Sequence, residues 1–257
     1  MNVLFRIIAF SYSCIFFLRR KAFVKNIGKD DLVLDLGSGD KPFWRADVIV
    51  DKYLEDDRQR SSGPVLLDKN KLFIKADVEN LPFKDKVFDF VYCSHLLEHV
   101  ENPVKAINEI TRVGKSGYIE VPRAFLELLN PFPSHLWLCE LEGKTLIFRR
   151  KEKEKNFYLM SLEKLGRKLY RESLFRYLLI KNIEHSFICF YWKGSINYKI
   201  DKIDTKPYVY KYRKEIVKVE HFVPGFAVVF YKLFYILTTA LFFKKKRIEK
   251  IIYRKVK

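Results

Sequence analysis

The chain has few residues that can form disulfide bonds or interrupt helices and strands: its 257 residues include only 4 Cys, 10 Gly and 9 Pro. The cysteines are scattered, with no C-x-x-C pair, which argues against a structural zinc site and against a disulfide framework. Hydrophobic residues make up 49% of the chain and charged residues 31%, which excludes a disordered or fibrous protein. We expect a folded protein in the reducing cytoplasm, with one principal domain.

Positive charge is concentrated in the second half of the chain, which has a net charge of +18 overall. Residues 1–20 contain 3 basic residues and no acidic one, and residues 21–142 contain 17 basic and 21 acidic residues. Residues 143–257 contain 29 basic and only 10 acidic residues. This asymmetry indicates an anionic partner for the C-terminal half, either lipid headgroups or nucleic acid. A composition bias with solvated lysines is the alternative explanation.

Two apolar segments lie near the ends of the chain. Residues 7–18 are too few to span a bilayer and lack the flanks of a signal peptide, so residues 1–25 are expected to form an interfacial anchor or a packed first helix. Residues 222–243 contain one charge, Lys232, and precede a basic cluster at 244–247. A single crossing conflicts with the positive-inside rule, which would put the basic cluster and the main domain on opposite sides. We expect a helix lying in the membrane interface within a basic extension, residues 201–257; a helix that closes the core is the alternative.

Short β-rich runs alternate with polar or helical stretches from residue 31 onward, a pattern typical of a parallel α/β sheet. Five strands are predicted, at residues 32–36, 47–50, 72–76, 88–93 and 117–121. Residues 96–113 have helical periodicity, which is interrupted and restarts at Asn102 and Pro103.

Beyond the fifth strand the sequence predicts two hairpins and one further helix. Residues 136–142 and 144–149 flank Gly143, and residues 187–192 and 196–200 are joined around Gly194, as in antiparallel hairpins. Residues 161–180 are predicted to form one amphipathic helix that begins at Ser161.

The motif VLDLGSGDKPF at residues 33–43 carries the sharpest chemical signal. A buried strand leads into Asp35, Gly37, Ser38 and Gly39, and glycine permits a tight turn and a close approach of the backbone to a ligand. Asp51 ends the second predicted strand, where an acid can accept two hydrogen bonds from ribose hydroxyls. Further polar residues end the next two strands, in the sequences FIKADVENLPF and FDFVYCSHLLEHV.

This series of motifs resembles the class I S-adenosylmethionine-dependent methyltransferases, in particular the methyltransferase type 11 group. The resemblance covers roughly residues 31–200 and is strongest over residues 33–122. It implies a Rossmann-like, doubly wound, mostly parallel α/β sheet in a methyltransferase domain at residues 26–200. The two predicted C-terminal hairpins lie within this domain, and the basic, apolar helical extension follows it. It also implies S-adenosylmethionine as the cofactor.

The resemblance assigns the cofactor-binding residues one by one. Beside the methionine part we expect the first strand and its loop, with Asp35, Gly37, Ser38 and Gly39. Asp51 is expected at the ribose, and Asp77 and Val78 at the adenine. The residues that follow the fourth strand are expected beside the cofactor and the transferred methyl group; they are Cys93, Ser94 and His95.

The sequence departs from the family pattern in the glycine loop. Lys41 and Pro42 stand where a third glycine is common, and only 15 residues separate Asp35 from Asp51, which leaves little room for the usual first helix. A shortened variant of the family is the expectation. The G-x-G-x-x-G of nicotinamide dehydrogenases is absent.

His95 is the predicted catalytic residue. Methyl transfer from a sulfonium depends mainly on positioning, and a general base is needed only for a weakly acidic hydroxyl or an ammonium group. A histidine beside the methyl group suits that role, although a histidine that is hydrogen-bonded at a helix start fits the pattern equally. Glu98 and His99 are expected to be structural, and His135 with Trp137 could reach an acceptor pocket. His185 and His221 receive no role, and no metal site is expected.

The sequence thus predicts a cytoplasmic methyltransferase, peripheral at the inner face of the membrane. The acceptor is a small molecule, a glycan or a lipid-linked substrate, and an anionic membrane surface is the expected partner. An RNA methyltransferase is the first alternative, because the C-terminal half is basic. A non-catalytic, membrane-associated binding module that retains the fold is the second.

Overall fold

The computed structural model describes residues 20–53, 65–151, 157–170, 172–201 and 225–242, together with Ser11 and Cys14. Most of the predicted N-terminal helix, and residues 202–224 and 243–257 of the predicted extension, lie outside the described residues.

A six-stranded sheet forms the centre of the fold, in the order β3-β2-β1-β4-β5-β8. The first five strands are parallel, which confirms the five predicted strands, and β8 is antiparallel at the edge beside β5. The strand order reverses between β1 and β4, so the carboxyl ends of these strands form the crevice in which open α/β sheets bind ligands. The strands are β1 Val33–Leu36, β2 Val48–Asp51, β3 Leu72–Lys75, β4 Phe88–Ser94, β5 Gly114–Pro122 and β8 Phe187–Lys193.

A second sheet contains three strands, β6 Trp137–Glu142, β7 Thr145–Arg150 and β9 Asn197–Asp201. Strands β6 and β7 form the predicted antiparallel hairpin around Gly143, whose φ of 58° glycine adopts readily. The second predicted hairpin is wrong, because β8 pairs with β5 whereas β9 pairs in parallel with β7. The turn at Gly194 instead carries the chain from one sheet to the other.

Six helices lie in the described residues: α1 Pro103–Val113, α2 Ala124–Leu129, α3 Phe157–Tyr170, α4 Ser173–Lys181, α5 Ile183–Ser186 and α6 Gly225–Phe242. Helix α1 starts where predicted, since the Asn102 side chain accepts a hydrogen bond from the Lys105 amide and Pro103 begins the helix. Residues 96–101, which precede it, form turns rather than helix.

The single helix predicted over residues 161–180 is also wrong, because α3 and α4 are separate helices and Ser161 lies inside α3. Helix α3 packs closely on α2: a Cβ on Gly166 would lie 2.0 Å from the carbonyl oxygen of Leu129. The Glu172 amide closes the end of α3 by donating to the Leu169 carbonyl, and Glu172 then caps α4. Ser161 therefore does not begin a helix, and Glu172 marks the boundary between α3 and α4.

The two faces of the central sheet bury different clusters, because successive side chains along a strand point to opposite faces. On one face Leu34 and Leu36 pack in the same cluster as Ile107 and Ile110 of α1. On the other face Val33, Ile49, Phe90 and Tyr92 form a cluster with Phe43.

The second face receives no helix from the connection between β1 and β2. Residues 37–47 run from one strand to the next as turns, in agreement with the shortened connection predicted from the sequence. Phe43 lies within this connection and stacks on Tyr92, with ring centroids 4.3 Å apart. The connection itself thus covers part of the face.

Helix α6 packs against this same connection. The Tyr231 hydroxyl donates to the Pro42 carbonyl, and Phe234 contacts Trp44 edge to face with ring centroids 6.5 Å apart. The Tyr235 hydroxyl donates to Asp68 at 2.9 Å. Tyr231 and Tyr235 are buried, so one face of α6 closes the core.

The opposite face of α6 is apolar and exposed. Val229, Leu233, Ile236 and Leu237 are each more than half exposed. Spacings of three and four residues place all four on one side of the helix. Among the described helices, none has the length and hydropathy needed to cross a bilayer.

We predict that Tyr231→Ala lowers the free energy of unfolding by about 3–5 kcal/mol, the range for removing a large buried aromatic side chain. Leu233→Ala, on the exposed face of the same helix, is the matched control and should change it by less than about 0.5 kcal/mol. Urea denaturation followed by circular dichroism measures both. Equally small effects would contradict the packing of α6 on residues 37–47.

Candidate active site

The loop that follows β1 needs glycine at two positions. Gly37 and Gly39 have φ values of 69° and 54°, in the left-handed region that other residues seldom adopt. A Cβ on Gly37 would also lie 2.9 Å from the Leu96 side chain. The Gly37 amide donates to the Val50 carbonyl at 2.8 Å, which ties the loop to the end of β2.

Asp51 joins the glycine loop to the end of β2. Its carboxylate accepts hydrogen bonds from the Gly39 amide and from the Tyr53 amide, each at 2.9 Å. These two hydrogen bonds tie the glycine loop and the turn after β2 to one carboxylate.

Ser38 lies between the two loop glycines, and its hydroxyl is buried without a hydrogen-bond partner in the described part of the chain. An unsatisfied buried hydroxyl costs free energy, which a bound polar ligand can recover. The left-handed glycines and this hydroxyl fit a polar ligand such as the methionine end of S-adenosylmethionine.

The buried side chain of Asp35 binds the connection that follows β1. Its carboxylate accepts a hydrogen bond from the Phe43 amide at 2.6 Å, and its side chain is buried. Burial raises the pKa of Asp35 to about 6, against the opposing effects of the Lys21 ammonium and the Phe43 hydrogen bond. The hydrogen bond from Phe43 to Asp35 thus helps to fix residues 37–47.

Asp77 and Val78, which are predicted to border the adenine, follow β3 in the chain. The Asp77 carboxylate accepts from the Glu79 amide at 3.0 Å and pairs with the Lys52 ammonium at 2.7 Å. Val78 is buried. Residues 54–64, which follow Tyr53 in the chain, lie outside the described residues.

Cys93, Ser94 and His95 form the end of β4 and the turn after it. Burial raises the pKa of the Cys93 thiol well above its usual range, so it stays neutral. The Ser94 hydroxyl donates to Glu120 at 3.0 Å. His95 has a φ of 56°, and a non-glycine residue in this region is strained, a condition concentrated at functional sites.

Glu120, on β5, is the centre of a buried polar network that the sequence analysis missed. Its carboxylate is fully buried and accepts from the Tyr118 hydroxyl at 2.7 Å and from Arg20 Nε at 2.7 Å. Burial alone would raise the pKa of Glu120, but the Arg20 guanidinium and the His95 ring hold it well below its usual range. The only available signal was an acid inside the apolar strand sequence GYIEVP.

The His95 ring is held between two carboxylates. Nδ1 lies 3.1 Å from Glu98 Oε1, and Nε2 lies 3.2 Å from Glu120 Oε1 and contacts the Arg20 guanidinium. The ring also meets Phe187 edge to face. With the side chain 36% exposed and both nitrogens engaged, His95 is well oriented but not poised as a free base.

Buried contacts surround the other predicted acceptor-side residues. His135 Nδ1 lies 2.7 Å from Glu127 Oε2, and Trp137 donates its indole N–H to the Val100 carbonyl at 2.8 Å. Both side chains are buried. His99 meets the His135 ring edge to face at a centroid distance of 4.6 Å.

We predict that Glu120→Gln lowers the free energy of unfolding by about 3–5 kcal/mol, because it leaves the Arg20 guanidinium partly buried without its charge partner. Adding Arg20→Met should restore part of the loss, since the double variant no longer holds an unpaired charge. Urea denaturation of the two single variants and the double variant measures the coupling. Strictly additive losses would contradict a direct ion pair.

Part of the chain is similar to known proteins. Residues 49–119 match the family model described as a methyltransferase domain. An uncharacterized protein of Methanocaldococcus jannaschii is 40% identical over 88 residues, which are 34% of this chain and 38% of that protein. An uncharacterized methyltransferase of Mycobacterium leprae is 36% identical over 110 residues, 40% of each chain. The chain thus spans about two fifths of the length of these relatives.

Among solved structures, an S-adenosylmethionine-dependent methyltransferase of Thermotoga maritima is similar at 21% identity and a TM-score of 0.32, over 46% of this chain and 54% of that one. The family match covers β2 to β5 and ends within β5, so it includes Asp51, Asp77 and the turn that bears His95. Residues 49–119 of this α/β unit are thus similar to a methyltransferase domain, in agreement with the resemblance to the class I S-adenosylmethionine-dependent methyltransferases.

Proposed function

We propose that the protein transfers a methyl group from S-adenosylmethionine to an acceptor at the carboxyl ends of β4 and β5. The observation that carries this proposal is the glycine loop, tied to Asp51 through the Gly39 amide and holding the unpaired Ser38 hydroxyl. The family match over residues 49–119 supports it.

The cofactor supplies an electrophilic methyl group on a sulfonium. The protein's contribution is then to bind and orient the two reactants, which is the main source of rate in such a transfer. Asp51 would accept hydrogen bonds from the ribose, Asp77 and Val78 would border the adenine, and the loop glycines would let the backbone approach the methionine part.

On the acceptor side, His95 is the residue proposed to contact the substrate. Two carboxylates fix its ring, and its partly exposed side chain lies directly after β4. We favour a role in orienting the acceptor over the predicted role as a base, because both ring nitrogens already have partners.

Calorimetric titration with S-adenosylmethionine and S-adenosylhomocysteine tests the cofactor site. Asp51→Ala should weaken binding by about 10- to 100-fold, since a hydrogen bond to a charged group contributes about 1.5–3 kcal/mol. Asp51→Asn keeps one carbonyl oxygen that can accept a hydrogen bond, so it should weaken cofactor binding less than Asp51→Ala does.

Glu142→Ala is the matched control, because Glu142 is an exposed acid at the far end of β6. Unchanged affinity in a folded Asp51→Ala protein would remove the ribose assignment. A folded wild-type protein that binds neither compound would contradict the methyltransferase proposal and favour a non-catalytic binding module.

We further propose that the exposed face of α6 lies on an anionic membrane, so that the acceptor is a lipid-linked or membrane-delivered molecule. Four apolar side chains line this face, and the sequence continues into the basic cluster at residues 244–247. An apolar face beside basic residues is suited to the lipid interface. Since Tyr231 and Tyr235 bind the protein core, the helix would lie along the surface.

Sedimentation with phosphatidylglycerol vesicles tests the membrane proposal. Leu233→Glu combined with Ile236→Glu should abolish sedimentation without disturbing the buried tyrosines, a sharper change than deleting the helix. Leu165→Glu combined with Leu178→Glu is the matched control on exposed leucines of α3 and α4.

Equal sedimentation of both double variants would overturn the membrane proposal. Binding to RNA without lipid, with an affinity that falls steeply as salt rises, would instead favour the nucleic-acid alternative.

A further inference from the structure

Three side chains that could bind a metal ion lie close together near His95: Glu98, His99 and His135. Glu98 and His99 lie in the turn after β4, and His135 lies in the loop before β6. One ligand atom from each of the three residues lies within 4.8 Å of the others. The Leu136 amide donates to the Glu98 carbonyl at 2.7 Å, which fixes the two segments against each other.

The surrounding acceptors determine which nitrogen of each ring is available. His99 Nδ1 lies 3.1 Å from the Ser134 carbonyl oxygen, and His135 Nδ1 lies 2.7 Å from the Glu127 carboxylate. A carbonyl or carboxylate oxygen only accepts, so Nδ1 carries the proton in both rings and Nε2 keeps its lone pair. Metal-binding histidines are oriented in this way by their neighbours.

The buried carboxylate of Glu98 has one oxygen that no hydrogen bond from the described residues satisfies. Its side chain is fully buried, and Oε1 faces His95 Nδ1 at 3.1 Å. Oε2 is buried and has no hydrogen-bond partner in the described part of the chain. A buried carboxylate oxygen without a partner is costly, and a bound cation would satisfy it.

We propose that Glu98, His99 and His135 bind one divalent transition-metal cation of the zinc, cobalt or nickel class, through a carboxylate oxygen and two imidazole nitrogens. Imidazole ligands favour these cations over magnesium and calcium. Three protein ligands leave coordination positions open for water or a substrate. This site does not depend on the proposed methyl transfer.

Metal binding is tested on the full-length protein without a histidine tag, after removal of metal by a chelator. Cobalt(II) is titrated while the visible absorption spectrum is recorded, and zinc is titrated by calorimetry. We expect one equivalent per chain, and a cobalt spectrum distinct from that of the aqueous ion. Zinc should also raise the thermal midpoint of unfolding, an effect that EDTA reverses.

His99→Gln and His135→Gln should each weaken zinc binding at least tenfold and remove the cobalt bands. His185→Gln, which changes an exposed histidine on α5, should leave both unchanged. A wild-type protein that keeps the aqueous cobalt spectrum would overturn the proposal without any variant. Equal zinc affinity in the wild type and both cluster variants would overturn it as well.

Discussion

The short connection between β1 and β2 is the constraint on which the rest of this structure depends. Residues 37–47 must join two parallel strands, present the glycine loop at their carboxyl ends and cover one face of the sheet, all without a helix. Phe43 covers part of the sheet face by stacking on Tyr92. Helix α6 holds the connection in place through the hydrogen bond from the Tyr231 hydroxyl to the Pro42 carbonyl. Helix α6 is therefore part of the scaffold of the proposed ligand-binding edge.

Segments from both ends of the described chain converge on this edge. Arg20 reaches Glu120 on β5, and Glu120 in turn holds Ser94 and His95 at the end of β4. Because the carboxylate is fully buried, its charge is stable only with the guanidinium beside it. The end of β4 thus depends on Arg20, and the loop after β1 depends on α6.

Local patterns were sufficient to predict much of this fold from the sequence. The five parallel strands, the start of α1 at Pro103 and the hairpin at Gly143 depend on periodicity, caps and turns within a few residues. The second predicted hairpin was wrong because β8 and β9 pair with strands of different sheets, which no local pattern shows. The single helix predicted at residues 161–180 was wrong because it breaks before Ser173, where no proline or glycine marks a boundary in the sequence. Likewise, no spacing rule links Arg20 to Glu120. The absence of paired cysteines led us to expect no zinc site, but cysteine spacing cannot indicate the metal site proposed at Glu98, His99 and His135.

A crystal structure of the protein with S-adenosylhomocysteine tests most directly whether S-adenosylmethionine binds at the carboxyl ends of β1, β2 and β3. The ribose hydroxyls should lie within hydrogen-bond distance of Asp51, the methionine part against residues 37–39, and the adenine beside Val78. A ligand bound elsewhere, or with its ribose directed away from Asp51, would contradict this placement.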